Sequence, residues 1–269
     1  MKTLRPITPH SILTEKLKQL RNDPSLKDTS DSFQKELNRV YLLASGLDKY
    51  LELNTTSEPA YLASLSQETR EFDWEADRVK DDVFLEAEML SGHVEGQFLK
   101  TLVSATKSKN ILEIGMFTGY SAISMARGLP DDGELIACEI DAEAAAIAQK
   151  SILSAGLEKK IKIIIGPAMD TLKKISKQNL TFDFVFVDAD KQNYTNYVQF
   201  ILKSNLLRIG GLCVVDNTLL QGEVYLDSSE RSEAGQAINL FNQYLNNEKQ
   251  MEQVIIPLRD GVTVSERVK

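Results

Sequence analysis

From Asn110 onward the chain alternates short apolar runs with helical segments, and this alternation limits its possible folds more than any other feature. The apolar runs are NILEIG, GELIACEID, KIKIIIG, FDFVFVD and GGLCVVD. Between them lie SAISMARGL, AEAAAIAQKSILSAG, AMDTLKKIS and NYVQFILKSNLL, which have helical periodicity. Strands almost free of polar residues suit a sheet buried on both faces, so a parallel sheet between two layers of helices is predicted. The tail differs: QVIIPLRDGVTVSERV reads as two strands around the turn dipeptide Asp260-Gly261, adding an antiparallel edge strand.

Residues 1–85 contain no strand-like stretch. There DSFQKELNRVYLLASGLDKYL places Phe33, Leu37, Val40, Tyr41 and Leu43 at three- and four-residue steps, which predicts an amphipathic helix. ETREFDWEADRVKDDVFLEAEML is a second candidate helix, with Trp74 as its anchor. The expected organisation is a helical N-terminal extension over 1–85 and an α/β domain over 86–269.

Composition removes several function classes. A formal charge of −8 disfavours nucleic acid and anionic membrane as partners, because both are bound through clustered Lys and Arg. No apolar run reaches the roughly 18 residues of a membrane span, and MKTLRPITPHSIL has no signal-peptide core, so a cytoplasmic protein is expected. Cys138 and Cys213 both fall in buried strands without a CxxC spacing, which reads as two reduced core thiols. With only His10 and His93, histidine chemistry is poorly supplied, and His93 reads as a helix-start residue.

In a sheet of this kind, ligands bind beyond the carboxyl ends of the strands. The first strand turns into its helix through EIGMFTGYS, where a dinucleotide fingerprint starting at Gly115 would need glycines at Phe117 and Tyr120. The phosphate cradle of a nicotinamide enzyme is therefore missing. Glu113 on the strand and the turn at Gly115 and Gly119 suit a ligand with a cationic amino-acid end. The second strand ends in two acids. Asp141 is placed to cap the following helix, leaving Glu139 for the hydroxyls of a ribose. Two further strands end in polar groups: FVFVDADK in Asp188, Asp190 and Lys191, and GLCVVDN in Asp216 and Asn217. Each could be a simple cap or turn, but buried carboxylates without partners are costly, and two neighbouring strands share the feature.

These residues carry a resemblance. The run from Glu113 through Ser121, with FVDADKQNY and VDNTLLQGEV, resembles the metal-dependent S-adenosylmethionine O-methyltransferases of the caffeoyl-CoA and catechol type. That implies a Rossmann-like methyltransferase fold, a mostly parallel seven-stranded sheet with an antiparallel edge strand, from about residue 86 to the end. A narrower resemblance, carried by RPITPHSIL, ASGLDKYLE, EMLSGHVEGQ and GMFTGYSA, is to the O-methyltransferases of mycosporine-like amino acid biosynthesis. It extends into the N-terminal region.

The resemblance implies that Ser91, Glu113 and Ser121 surround the methionine end of the cofactor beside the Gly115–Met116 backbone. Glu139 takes the ribose, Ala168 lies against the adenine, and Asp190 reaches the amino group. Asp188, Asp216 and Asn217 then supply three oxygen ligands to magnesium, or to manganese or calcium, on which a substrate with vicinal oxygens chelates. Lys191 takes the hydroxyl proton or stabilises the oxyanion, or else pairs with Asp190 at the surface. A homodimer is also implied. The loop LDSSERSEAG is short and acidic where the plant enzymes carry a longer basic segment for coenzyme A phosphates. A small substrate such as demethyl-4-deoxygadusol is therefore expected, with catechols or caffeoyl-CoA-like phenolics as the alternative. A nicotinamide oxidoreductase and a non-catalytic binding protein remain the competing classes.

Overall fold

The computed structural model describes residues 5–74 and 85–269. Seven strands form one sheet in the order β3-β2-β1-β4-β5-β7-β6, where β1 is Asn110–Ile114, β2 Glu134–Glu139, β3 Ile161–Ile165, β4 Phe182–Val187, β5 Leu207–Val215, β6 Met251–Ile256 and β7 Val262–Arg267. Strands β1 to β5 pair in parallel. Only β7 runs against its neighbours, one position in from the edge, and β6 completes that side. The expected hairpin is present, joined through Pro257–Gly261.

The period-two alternation of each strand feeds two cores. Ile111, Ala137, Phe184, Phe186 and Val214 point to one face, packed by α3 (Ala60–Glu71), α4 (His93–Thr106), α5 (Tyr120–Ala126) and α6 (Ala142–Ser154). Leu112, Ile114, Val185, Val187 and Val215 point to the other, packed by α7 (Ala168–Ile175), α8 (Tyr194–Lys203) and α9 (Glu233–Asn247). Cys138 and Cys213 are free thiols in this second core, and burial pushes both up to about 12.

Three elements differ from their sequence expectation. Helix α8 begins two residues earlier and stops at Lys203, because Leu206 and Leu207 are drawn into the sheet side of the core. Helix α9, capped by Ser232 onto the Gly235 amide, was hidden behind the acidic run that precedes it. The helix expected from Glu68 starts instead at Ala60 and ends at Glu71, and residues 75–84 lie outside the described residues. Trp74 anchors that end: its indole donates to the Thr69 carbonyl, and its ring packs between Phe72 and Phe117. His93 opens α4, as expected.

Helices α1 (Pro9–Asn22) and α2 (Asp31–Asn54) pack on one another, and neither has a fully buried side chain. Their amphipathic pattern is satisfied only in part, since Leu43 and Leu53 are more than two-thirds exposed. By contrast α3 buries Leu62 and Leu65 against the α/β body. Among the described residues no helix is long and apolar enough to cross a membrane.

Helices α4 and α5 approach closely because residue 96 has no side chain. A Cβ there would sit 2.6 Å from Ser124 Oγ and 2.7 Å from a Tyr120 ring carbon. Both neighbours are fully buried, so Gly96→Ala should destabilise the protein by about 1–3 kcal/mol through overpacking, read as a lower midpoint in urea unfolding. An unchanged midpoint would mean that this helix pair relaxes freely.

Candidate active site

The sheet ladder continues past the strand ends, and this lines up the site. Gly166 donates to the Glu139 carbonyl, Gly115 to Cys138, Asp188 to Ile114 and Asp216 to Val187, so the four strand-end turns lie side by side. They border a cavity of about 1260 Å³. Of the expected residues, Gly115, Glu139, Ala168, Asp188, Asp190, Lys191, Asp216 and Asn217 line it. Ser91, Glu113, Met116 and Ser121 lie buried behind that wall.

The turn after β1 needs glycine at its first position. Gly115 has φ of 86°, and a Cβ there would fall 1.9 Å from the Asp188 carbonyl oxygen. The turn is clasped by Glu139, whose Oε2 accepts from the amides of Met116 (3.1 Å) and Phe117 (2.6 Å). Its Oε1 accepts from Ile140 (2.8 Å) and Asp141 (2.9 Å). Burial pushes the Glu139 carboxyl up, and these four bonds pull it back. Asp141 caps α6 through the amides of Glu143 and Ala144, as expected.

Beneath the turn, Glu113 is fully buried. Its Oε1 accepts from Ser121 Oγ at 2.5 Å, and its Oε2 has no hydrogen-bond partner among the described residues. Burial raises it to about 8, with Ser121 opposing and Asp188 and Glu139 reinforcing. Ser121 therefore serves Glu113, and the helix cap is Gly119. On the far side, Asp190 accepts from Tyr197 (2.6 Å) and Asn193 (2.5 Å). Carboxylates at Glu113, Glu139 and Asp190 suit a ligand with a cationic amino-acid end joined to a nucleoside.

The tips of β4 and β5 form a second cluster. Asp216 is buried, its Oδ1 has no hydrogen-bond partner among the described residues, and burial together with the nearby Asp188 charge pushes its carboxyl up. Lys191 Nζ donates to Asp188 Oδ1 (3.0 Å) and to Tyr194 (2.8 Å), so its ion pair is with Asp188 and not with Asp190. Burial opposes the ammonium charge, but Tyr194, Asp188 and Asp216 outweigh it and hold the lysine protonated.

Among the described residues no three His, Cys, Asp or Glu side chains are grouped to hold a metal. A divalent cation held by Asp188 and Asp216 would therefore need a donor of another kind, and the Asn217 amide oxygen follows Asp216 directly. That donor set is all oxygen and contains an unpartnered buried carboxylate oxygen, so it fits a hard cation.

Three residues of this cluster escaped the sequence reading. Asp260 was legible only as a turn former, yet it accepts from the Gln221 amide (2.5 Å) and from Asn217 Nδ2 (3.4 Å), and burial raises it to about 6. Glu95, in the first turn of α4, is fully buried. Burial first and Asp216 second push it well above the usual range, with Arg259 opposing. Arg259 itself gave no sequence signal.

Residues 54–268 match a family model described as O-methyltransferase. The chain belongs to this O-methyltransferase family. Caffeoyl-CoA O-methyltransferase 2 of Populus trichocarpa is 38% identical over 183 residues, 65% of this chain and 73% of that protein. The O-methyltransferase from Bacillus cereus, solved in complex with SAH, is 29% identical with a TM-score of 0.71, covering 82% of this chain and 97% of that one. TomG from Streptomyces achromogenes, an O-methyltransferase of tomaymycin synthesis solved with SAM, is 30% identical with a TM-score of 0.69, covering 83% and 96%. The chain is a S-adenosylmethionine-dependent O-methyltransferase, which removes the nicotinamide and non-catalytic alternatives.

Because folding raises Glu113 from the ordinary 4.5 to about 8, its protonated form favours the native state. This contribution is complete below pH 4.5 and is lost as pH rises through 8, at most about 5 kcal/mol. In cofactor-free protein, Glu113→Gln should therefore flatten the fall in unfolding free energy between pH 5 and 8, measured by urea titration at each pH. Parallel curves for variant and parent would rule out this assignment.

Proposed function

We propose that this O-methyltransferase is metal-dependent and methylates one of two vicinal oxygens on a small substrate, converting demethyl-4-deoxygadusol to 4-deoxygadusol. The observation that carries the metal is the pair of acids at adjacent strand tips, with the unpartnered Asp216 oxygen beside the cavity. When bound, the divalent cation lowers the pKa of a chelated hydroxyl and S-adenosylmethionine supplies the methyl group.

The chain's own residues do the rest. Asp188, Asp216 and Asn217 hold the chelate, and Asp260, taking the Asn217 amide hydrogen, leaves that side chain's oxygen for the metal. Glu113, Glu139, Asp190 and the Gly115–Met116 backbone position the cofactor, with Ser121 orienting Glu113, so that reaction is largely a matter of alignment. Ser91 and Ala168 complete that side at the methionine and adenine ends. Lys191, beside Asp188, takes the hydroxyl proton or stabilises the oxyanion.

The small substrate is supported by the N-terminal sequence motifs and by the acidic stretch after Tyr225. There Asp227 and Glu230 are exposed, and Arg231 is committed to the Leu226 carbonyl. The likeness to the Populus caffeoyl-CoA enzyme favours the second reading, a phenolic acyl-CoA.

One assay series tests both parts. Excess chelator or Asp216→Ala should lower methyl transfer on the order of 100-fold or more, with magnesium or manganese restoring only the chelated parent. Full activity in chelator would eliminate the metal. With metal present and labelled S-adenosylmethionine limiting, the cyclohexenone should outcompete catechol and caffeoyl-CoA. Label accumulating on caffeoyl-CoA would transfer the assignment to the second reading.

A further inference from the structure

Arg259 sits at the tip of the β6–β7 connection on the cavity wall, facing the acid cluster. Its backbone has φ of 50°, a left-handed conformation that side chains other than Gly, Asn and Asp rarely adopt. Such strain persists where the surroundings hold it in place, and here the seat is built from three sides. Nε lies 3.2 Å from Oε2 of the fully buried Glu95. Nη2 donates to the Leu90 carbonyl at 3.0 Å. Gly92, itself at φ of 78°, leaves room for Nη1, since a Cβ there would come within 2.9 Å of it.

A buried carboxylate, a carbonyl and a bare glycine thus fix the orientation of one guanidinium, while about a third of its side chain stays exposed at the cavity. Of the other cations that line the cavity, Arg5, Lys191 and Lys203, Lys191 is engaged by Asp188 and Tyr194 and Arg5 by Glu86. A guanidinium has five donor hydrogens in a planar fork, more than its two fixed contacts use. An acid-lined chamber repels anions, so a preset positive charge in its wall decides whether a negatively charged substrate is admitted.

We propose that Arg259 is a specificity-determining residue, selecting substrates that carry an ionised oxygen, an enolate or carboxylate, on the same ring system as the vicinal pair that is methylated. This rests on the small vicinal-oxygen substrate proposed above. A role confined to neutralising Glu95 would produce the same seat without the selectivity.

The test compares 3,4-dihydroxybenzoate with the similarly sized, neutral 3,4-dihydroxybenzyl alcohol in the metal-loaded enzyme. Arg259→Gln should lower the ratio of kcat/KM for anion over neutral diol by about tenfold or more, mainly through KM. Arg259→Lys should retain most of the ratio. Because Arg259→Gln strands a buried carboxylate, the double variant Glu95→Gln/Arg259→Gln is measured as well, and it should show the same lost selectivity. If both diols lose activity by one common factor, or the double variant regains the parental ratio, Arg259 is structural and the proposal is overturned. If the parent methylates neither diol, the substrate reading beneath it fails first and takes this inference with it.

Discussion

Strands β4 and β5 pair up to their last residues, Val187 opposite Val215, and the next amide, that of Asp216, bonds back to the Val187 carbonyl. This hydrogen bond leaves Asp188 and Asp216 no freedom to separate. Two carboxylates are held beside each other, and the Asp188 charge disfavours that of the buried Asp216. Much of the surrounding chemistry answers that repulsion: the Lys191 ammonium on Asp188, the Arg259 charge felt by Asp216, Glu95 and Asp260, and a vacant oxygen suited to a cation.

The side of the cavity formed by β1 and β2 is organised by backbone geometry more than by charge. A glycine at 115 lets the first turn touch the Asp188 carbonyl, and Glu139 fastens that turn to the start of α6 with four amide bonds. Glu139 thus holds the loop in shape while it also lines the cavity. The cavity joins two differently built halves, one rigid through hydrogen bonds and one poised electrostatically.

Much of this was legible beforehand, because strands buried on both faces leave a strong apolar signal and their polar tips stand out against it. The glycine turn, the Asp141 cap and the acids at 188 and 216 were read from such contrasts. What was missed lacks contrast. Glu95 looks like any acid in a helix first turn, and only packing buries it completely. Asp260 and Arg259 sit in a turn whose composition explains itself, so nothing local indicates that the loop folds over a cavity. Helix α9 was masked by the charged run before it, and Lys191 chose Asp188 over the adjacent Asp190 because Tyr197 and Asn193 already occupy the latter.

The reversed direction of β7 has a consequence in the time domain. It brings the hairpin tip to the catalytic edge, so the wall is sewn together by contacts far apart along the chain. Arg259 to Leu90 spans 169 residues, and Asn217 to Asp260 spans 43. Closing loops of that size is entropically slow compared with laying β1 beside β2 or β4 beside β5. The five parallel strands can carry the glycine turn and the acid tips, but they do not by themselves close the cavity. Its wall is completed by the hairpin.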